Sequence, residues 1–221
     1  SSPDPNIIRA MDSWISNYAA AKATAAHEEH AHRNPRPENT PNPYSMSWGQ
    51  GTTTPRYLDT VMAHLQMGGG NYSDVEWSAK KQKYLDAMSL AADYALGGNQ
   101  NGLVYFTGLG TRHVEEPLHL DSLAFIKLEK GPMPGIPVYG PVDGIGNAEY
   151  ARPAHDAFYP TFEDQPLGLR YGDVRTFVWC NEFTSWETQA PFVQMFSLLI
   201  GDALMPPDLS DHSCGVDWCD E

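Results

Sequence analysis

The sequence predicts an all-α chain whose helices are separated by long, shaped loops. Three observations lead there. Apolar residues recur at helical spacing in four separate stretches. Glycine and proline, 19 and 18 of the 221 residues, gather between those stretches, where they punctuate the helices without breaking them. The composition, 41% hydrophobic and 19% charged, is that of a globular chain with enough apolar side chains to cover each stripe.

A first helix is expected over residues 7–30, where Ile7, Ile8, Met11, Trp14, Ile15 and Tyr18 share a face and an alanine-rich run follows. From His32 to Pro55 the chain is polar and carries Asn34-Pro35, Arg36-Pro37, Pro41 and Asn42-Pro43, so it reads as loop. A second helix is expected from Pro55 to Met67. Thr54 suits its N-cap, Tyr57, Leu58, Val61, Met62 and Leu65 form its stripe, and Gly68-Gly69-Gly70 stops it. The third is the clearest. Ser73-Asp74-Val75-Glu76 has capping-box spacing, Trp77, Tyr84, Leu85, Met88, Ala91, Ala92 and Leu96 line one face, and Gly97-Gly98 closes it. From Asn99 to about Arg175 helical periodicity is largely lost, and short apolar stretches such as Leu103 to Thr107 alternate with glycine and proline. A last helix is expected over roughly 188–204, with Phe192, Val193, Phe196, Leu199 and Ile200 on one side and Pro206-Pro207 as its stop. Residues 1–205 thus read as one helical domain and 206–221 as an acidic tail.

Charge narrows the partners. Twenty-eight acidic against 14 basic residues give a net of -14, which disfavours nucleic acid and anionic membranes. No apolar run reaches the roughly 18 residues of a membrane span, so a soluble protein is expected. The opening SSPDPNIIRA lacks a basic-then-apolar leader, as expected of a processed chain or one never exported. Cys180 lies in an apolar run and reads as a buried thiol. Cys214 and Cys219 are open to a local disulfide, which favours an oxidising compartment. His27, Glu28, Glu29, His30 and His32 do not have His-Glu-x-x-His spacing and read as a solvated helix end. Asp211, His212, Cys214 and Cys219 read as tail rather than a zinc site, and no aspartate-rich calcium loop is evident. No metal or other cofactor is expected.

Four segments in order carry a resemblance: Asn42-Pro43-Tyr44 with Ser47-Trp48-Gly49; Asp93-Tyr94-Ala95-Leu96-Gly97-Gly98-Asn99 with Tyr105-Phe106-Thr107-Gly108-Leu109-Gly110; Pro134-Gly135-Ile136-Pro137-Val138-Tyr139-Gly140-Pro141; and Trp179-Cys180-Asn181-Glu182 with Trp186 and Ala190-Pro191. Together they resemble the carboxy-terminal half of the catalytic barrel of family 9 glycoside hydrolases. The resemblance implies part of an (α/α)6 barrel with short β-strands between its helices. It also implies inverting hydrolysis of a β-1,4-linked glucan or related oligosaccharide, and a secreted or periplasmic location. Glu182 matches the general acid at the start of the last barrel helix. Flanked by Trp179, Cys180 and Phe183, its carboxyl is expected to be partly desolvated and its pKa raised. The same residue, taken alone, reads as a helix-start carboxylate favoured by the macrodipole.

Two departures matter. The family's base lies in an Asp-x-Gly-Asp signature, and the chain has none; Glu28-Glu29 and Glu115-Glu116 sit in other contexts. The base is therefore expected in an amino-terminal half, as a separate chain or a segment outside this one. The family's Pro-His-x-Arg stretch corresponds to Glu116-Pro117-Leu118-His119-Leu120-Asp121, so both sugar-contacting positions are leucines and His119 falls between them. Glu115, Glu116 and Asp121, with His113, leave open an exo-acting β-glucosaminidase that pairs a carboxylate with an amino sugar. They also read as plain loop surface. A non-catalytic carbohydrate-binding or structural remnant is the reading from another class. His119 and the aromatics of the matched loops, Trp48, Tyr105, Tyr139, Tyr159, Trp179 and Trp186, are the candidate sugar contacts; each alone reads equally as packing. Asp173 and Arg175 are candidates to orient the acid or to pair with each other, and Arg152, His155 and Asp156 to border the cleft.

Overall fold

The structure, a computed structural model, describes residues 4–28, 55–68, 72–145 and 148–201. Trp48, the loop around it, the 27–32 cluster's side chains, the Thr54 cap, Cys214, Cys219 and the 206–221 tail lie outside the described residues.

Helices α1 (Pro5–Glu28), α2 (Asp59–Met67), α3 (Asp74–Ala95) and α7 (Ala190–Ile200) form the scaffold. The α2 helix is preceded by a 3-10 turn at Pro55–Leu58. Their shared core brings Ala19 of α1 against Leu58, Val61 and Met62, then Tyr84, Met88 and Ala91 of α3, and Phe192 and Met195 of α7. The α3 capping box forms as its spacing predicts, with the Ser73 hydroxyl accepting from the Glu76 N–H and the Glu76 carboxylate accepting from the Ser73 N–H at 3.0 Å. Two stripes are rotated from expectation. On α1, Asp12, Ile15, Ser16 and Ala19 are buried, while Ile7, Met11 and Trp14 are exposed. On α7, Phe192 and Met195 go inward and Val193 and Ile200 outward. Among the described residues neither outward face meets a covering element of this chain, so apolar spacing alone overstated how much is buried.

The α1–α2–α3 junction holds a polar chain. His64, wholly buried, has Nδ1 3.0 Å from the Tyr84 hydroxyl and Nε2 3.2 Å from Asp12 Oδ1. Burial lowers its pKa below the ordinary 6.5, and the Asp12 carboxylate only partly opposes this. The unfolded chain therefore takes up a proton near pH 6.5 before the folded one does. Stability contributed above that pH is lost as pH falls below it. Unfolding midpoints measured from pH 7.5 down to 5 should fall more steeply for the wild type than for His64→Gln; parallel curves would refute the assignment.

The stretch from Asn99 to about Arg175, where periodicity is lost, and the residues just after it fold into more helix than expected. Here lie α4 (Leu120–Lys127), α5 (Arg152–Asp156), α6 (Val178–Asn181) and three 3-10 turns. Each is too short for its stripe to register in sequence. Strand β1 (Val104–Thr107) runs parallel to the two-residue β2 (His113–Val114). One small core joins Tyr94, Leu103, Tyr105, Val114 and Val138. A second joins Val142, Ile145, Phe162, Phe177 and Cys180.

Candidate active site

The scaffold reaches the site through two turns. At the end of α3, Gly97 takes φ +109° and Asn99 bridges the reversal: its Nδ2 donates to the carbonyls of Tyr94 (2.7 Å) and Leu103 (2.8 Å). The chain is thereby fed into β1. There the Thr107 N–H donates to Ile136 (3.0 Å), and its hydroxyl accepts from the Ile136 N–H (2.9 Å). Gly108, at φ +67°, lies so close under Pro134 that a Cβ would stand 2.8 Å from the proline Cβ. The Pro134–Pro141 loop is thus laid along the strand.

That loop and the 117–119 stretch converge on α6. Gly140 N–H donates to Cys180 O at 2.9 Å, and Leu118 N–H to Asn181 O at 2.8 Å. Asn181 is wholly buried. Its Nδ2 reaches the carbonyls of Gly172 (2.6 Å), Val174 (3.0 Å) and Phe177 (3.3 Å), and its Oδ1 accepts from the Tyr171 hydroxyl (2.6 Å). Burial pushes the Cys180 thiol up, so it stays a protonated packing group, as its apolar setting in the sequence suggested.

Glu182 follows directly. It is half-buried, in extended backbone (φ -67°, ψ 142°), and its N–H closes α6 on Val178 O at 2.8 Å. The expectation that it starts the last helix is corrected. Asn181 ends one short helix, and a π-helical turn (Ser185–Gln189) separates Glu182 from α7. The macrodipole reading goes with it, because the residue stands outside the turn that would supply the favourable N-terminus.

Around it, His119 caps α4, with Nδ1 accepting from the Ser122 N–H at 3.3 Å, and its ring lies edge-on to Phe183, 5.5 Å between centroids. In the neutral ring that bond leaves the proton on Nε2. Leu118 pairs with Glu182 as an isolated parallel bridge, and Leu120 is 81% exposed. Asp173 and Arg175 do not pair with each other. Asp173 accepts from the backbone N–H groups of Glu115 (2.8 Å) and Glu116 (3.0 Å), and burial raises its carboxyl above the ordinary range against the pull of those bonds. Arg175 binds the Glu116 carboxylate.

The candidate sugar contacts divide. Tyr105 is fully buried, packed against Tyr94 and Tyr171, with its hydroxyl accepting from Asn101 at 2.9 Å; no face is left for a pyranose. Tyr139 is also buried, and its hydroxyl donates to Glu187. Both rings are packed, and neither offers an exposed face in this structure. Trp179 packs half-buried against the second loop core. Tyr159 is 97% exposed in the turn after α5, while His155 is held between Asp156 and Glu163, each at 2.9 Å. Trp186, 68% exposed, lies over the Arg56 guanidinium at 5.0 Å.

Trp186 also lines a groove of about 530 Å³ with Trp14, Tyr18, Arg56, Tyr57 and Pro191. Sequence reasoning took Trp14, Tyr18 and Tyr57 as helix-stripe residues and passed over Arg56 and Glu187. The last two pair across 131 positions, and no local spacing announces such a contact. Among the described residues, no three of the His, Cys, Asp and Glu side chains come together as a metal site would require.

The helices and their loop-built rim are those of part of an (α/α)6 barrel. The profile described as glycosyl hydrolase family 9 matches residues 5–196, and the chain belongs to that family. A single-mutant thermostable endoglucanase from Alicyclobacillus acidocaldarius is similar over 90% of this chain and 32% of its own, at 26% identity and TM-score 0.64. AaCel9A in complex with a cellobiose-like isofagomine is similar over 89% and 32%, at 25% and 0.59. A metagenome-derived family 9 endoglucanase shares the fold at 19% identity and TM-score 0.61. This chain thus spans about a third of the length of these relatives. No curated protein sequence matches it.

Proposed function

We propose that the protein carrying this chain hydrolyses a β-1,4-linked glucan or a related oligosaccharide with inversion, and that Glu182 is its general acid. The observation that carries the reading is the setting of Glu182: a half-buried carboxyl on extended backbone, in the position of the family's Asn-Glu signature. An acid must be reachable by the glycosidic oxygen yet shielded enough to hold its proton, and a half-buried rim position meets both needs. The aromatic groove beside the π-turn supports sugar binding, since Trp186 and Trp14 stay largely exposed even with Arg56 and Tyr18 against their rings, and exposed indoles pack on a pyranose. The base is a carboxylate from the amino-terminal half of the barrel, supplied from outside this chain, roughly 6.5–9.5 Å from the acid with water between. The amino-sugar alternative is weakened because the Glu116 carboxylate is already neutralised by Arg175. An extracellular or periplasmic site of action fits a polymeric glucan.

Proton NMR of the first products of cellotetraose hydrolysis by the intact protein tests the chemistry. The α-anomer should appear first. Initial β-anomer would mean retention and would sink the mechanism. Faster turnover of chitosan oligosaccharides would move the assignment to the β-glucosaminidase, and no turnover of either would leave the non-catalytic reading.

A further inference from the structure

Glu187 sits where three distant parts of the chain meet. One carboxylate oxygen takes the Arg56 guanidinium from the 3-10 turn before α2, and the other takes the Tyr139 hydroxyl from the Pro134–Pro141 loop. Arg56 is itself held between two rings, Tyr57 and Trp186, each 5.0 Å from its guanidinium carbon. Both charged side chains are largely shielded, at 23% and 14% exposure. Tyr139 is pushed well above the ordinary phenol range, by burial first and by this hydrogen bond second, and the Glu182 charge acts on the same hydroxyl. The acid and the clamp therefore share one electrostatic neighbourhood.

The clamp also holds the backbone that carries the acid. Thr184 caps the π-turn: its hydroxyl accepts from the Glu187 N–H at 3.3 Å and lies 3.4 Å from the Tyr139 hydroxyl. Thr184 N–H donates to the Thr188 hydroxyl at 3.1 Å, which in turn donates to Thr184 O at 2.6 Å. Only Phe183 and the extended Thr184 then separate this locked turn from Glu182. A π-turn holds one residue more than an α-turn and leaves its backbone bonds poorly aligned, so it persists where side chains over-determine it. Glu187 supplies that over-determination.

We infer that Glu187 is a positioning residue: through Arg56, Tyr139 and the π-turn it fixes where Glu182 presents its proton. The inference rests on the proposed acid role of Glu182. It calls for a readout specific to proton delivery, because an ion pair this shielded also bears on folding. Leaving groups differ in their need for that proton. Cellotetraose needs it, whereas the dinitrophenolate of a 2,4-dinitrophenyl β-cellobioside departs as a stable anion.

In the intact protein, Glu187→Gln should lower kcat on cellotetraose about 10–100-fold with KM within about twofold, the scale of a misplaced proton donor. On the dinitrophenyl substrate the same variant should stay within about threefold of wild type. Tyr139→Phe, which removes one arm of the clamp and keeps the ring, should show the same selectivity at smaller size. Equal losses on the two substrates, or wild-type kcat with only a lowered melting temperature, would overturn the positioning role. Should Glu187→Gln fail to fold, an unselective Tyr139→Phe overturns it alone. Glu182→Gln run alongside separates the two layers. Full activity there removes the acid assignment itself, whereas an inactive Glu182→Gln beside an unselective Glu187→Gln removes only the clamp.

Discussion

Glu182→Gln is expected to lower kcat/KM on cello-oligosaccharides about 10³-fold in the intact protein, the middle of the range for loss of a general acid. Glutamine keeps the shape and the polar head of the side chain, so the half-buried rim position should refill without rearrangement. What disappears is the transferable proton. The leaving alkoxide of a glucan is a poor leaving group, and without protonation the barrier rises by roughly 4 kcal/mol, the equivalent of that factor. A substrate whose leaving group needs no proton should recover most of the rate, and melting should stay close to wild type. Loss of both activities together with folding would point to a structural carboxylate instead.

The second large effect concerns stability. Asn181→Leu is expected to cost about 3–5 kcal/mol and to lower the melting temperature of this chain by roughly 10 °C. Leucine has the same branched outline as asparagine and is the bulkier of the two, so the cost is not a cavity. It arises because Asn181 is wholly buried and serves the Tyr171 hydroxyl and the carbonyls of Gly172, Val174 and Phe177 at once. A leucine removes all four of these bonds at once, leaving the carbonyls with only their backbone N–H partners and the Tyr171 hydroxyl with only its longer bond to Asp173 at 3.4 Å. The Gly172–Phe177 stretch that they pin closes the second loop core through Phe177, which packs against Phe158 and Phe162 at 5.7 and 5.6 Å between centroids. A shift of the unfolding midpoint below about 2 °C would show that the loop finds other partners. The Asn of the Asn-Glu pair thus acts as an internal brace for its neighbour.

How much of this was legible beforehand follows from the range of the signals. The Ser73 capping box, the Gly97-Gly98 stop and the Leu58–Val61–Met62 stripe act within a few residues, and sequence spacing reports them faithfully. The short helices between Asn99 and Asn181 escaped because none holds enough residues to repeat a stripe. The exposed Ile7, Met11 and Trp14 were misjudged for a different reason: periodicity tells which residues share a face, but not whether anything lies opposite it. Tyr105 and Tyr139 show the same ambiguity in the site. An aromatic in a glycine-rich loop serves a ligand or a core equally well, and only the third dimension decides. Glu182 is singled out by its motif alone, and its helix-start geometry was wrong, because the π-turn that displaces it depends on Thr184, Thr188 and the distant Arg56.

That dependence has a kinetic side. Each scaffold helix is built from neighbours in sequence, whereas the surroundings of Glu182 are drawn from positions near 56, 118, 139 and 187. Closing such loops costs entropy before any contact rewards it, so local elements form first and widely separated ones meet late. The surroundings of Glu182 should accordingly mature after the helical signal is complete. A newly made chain would pass through a stage in which its helices are formed and the setting of Glu182 is not yet complete.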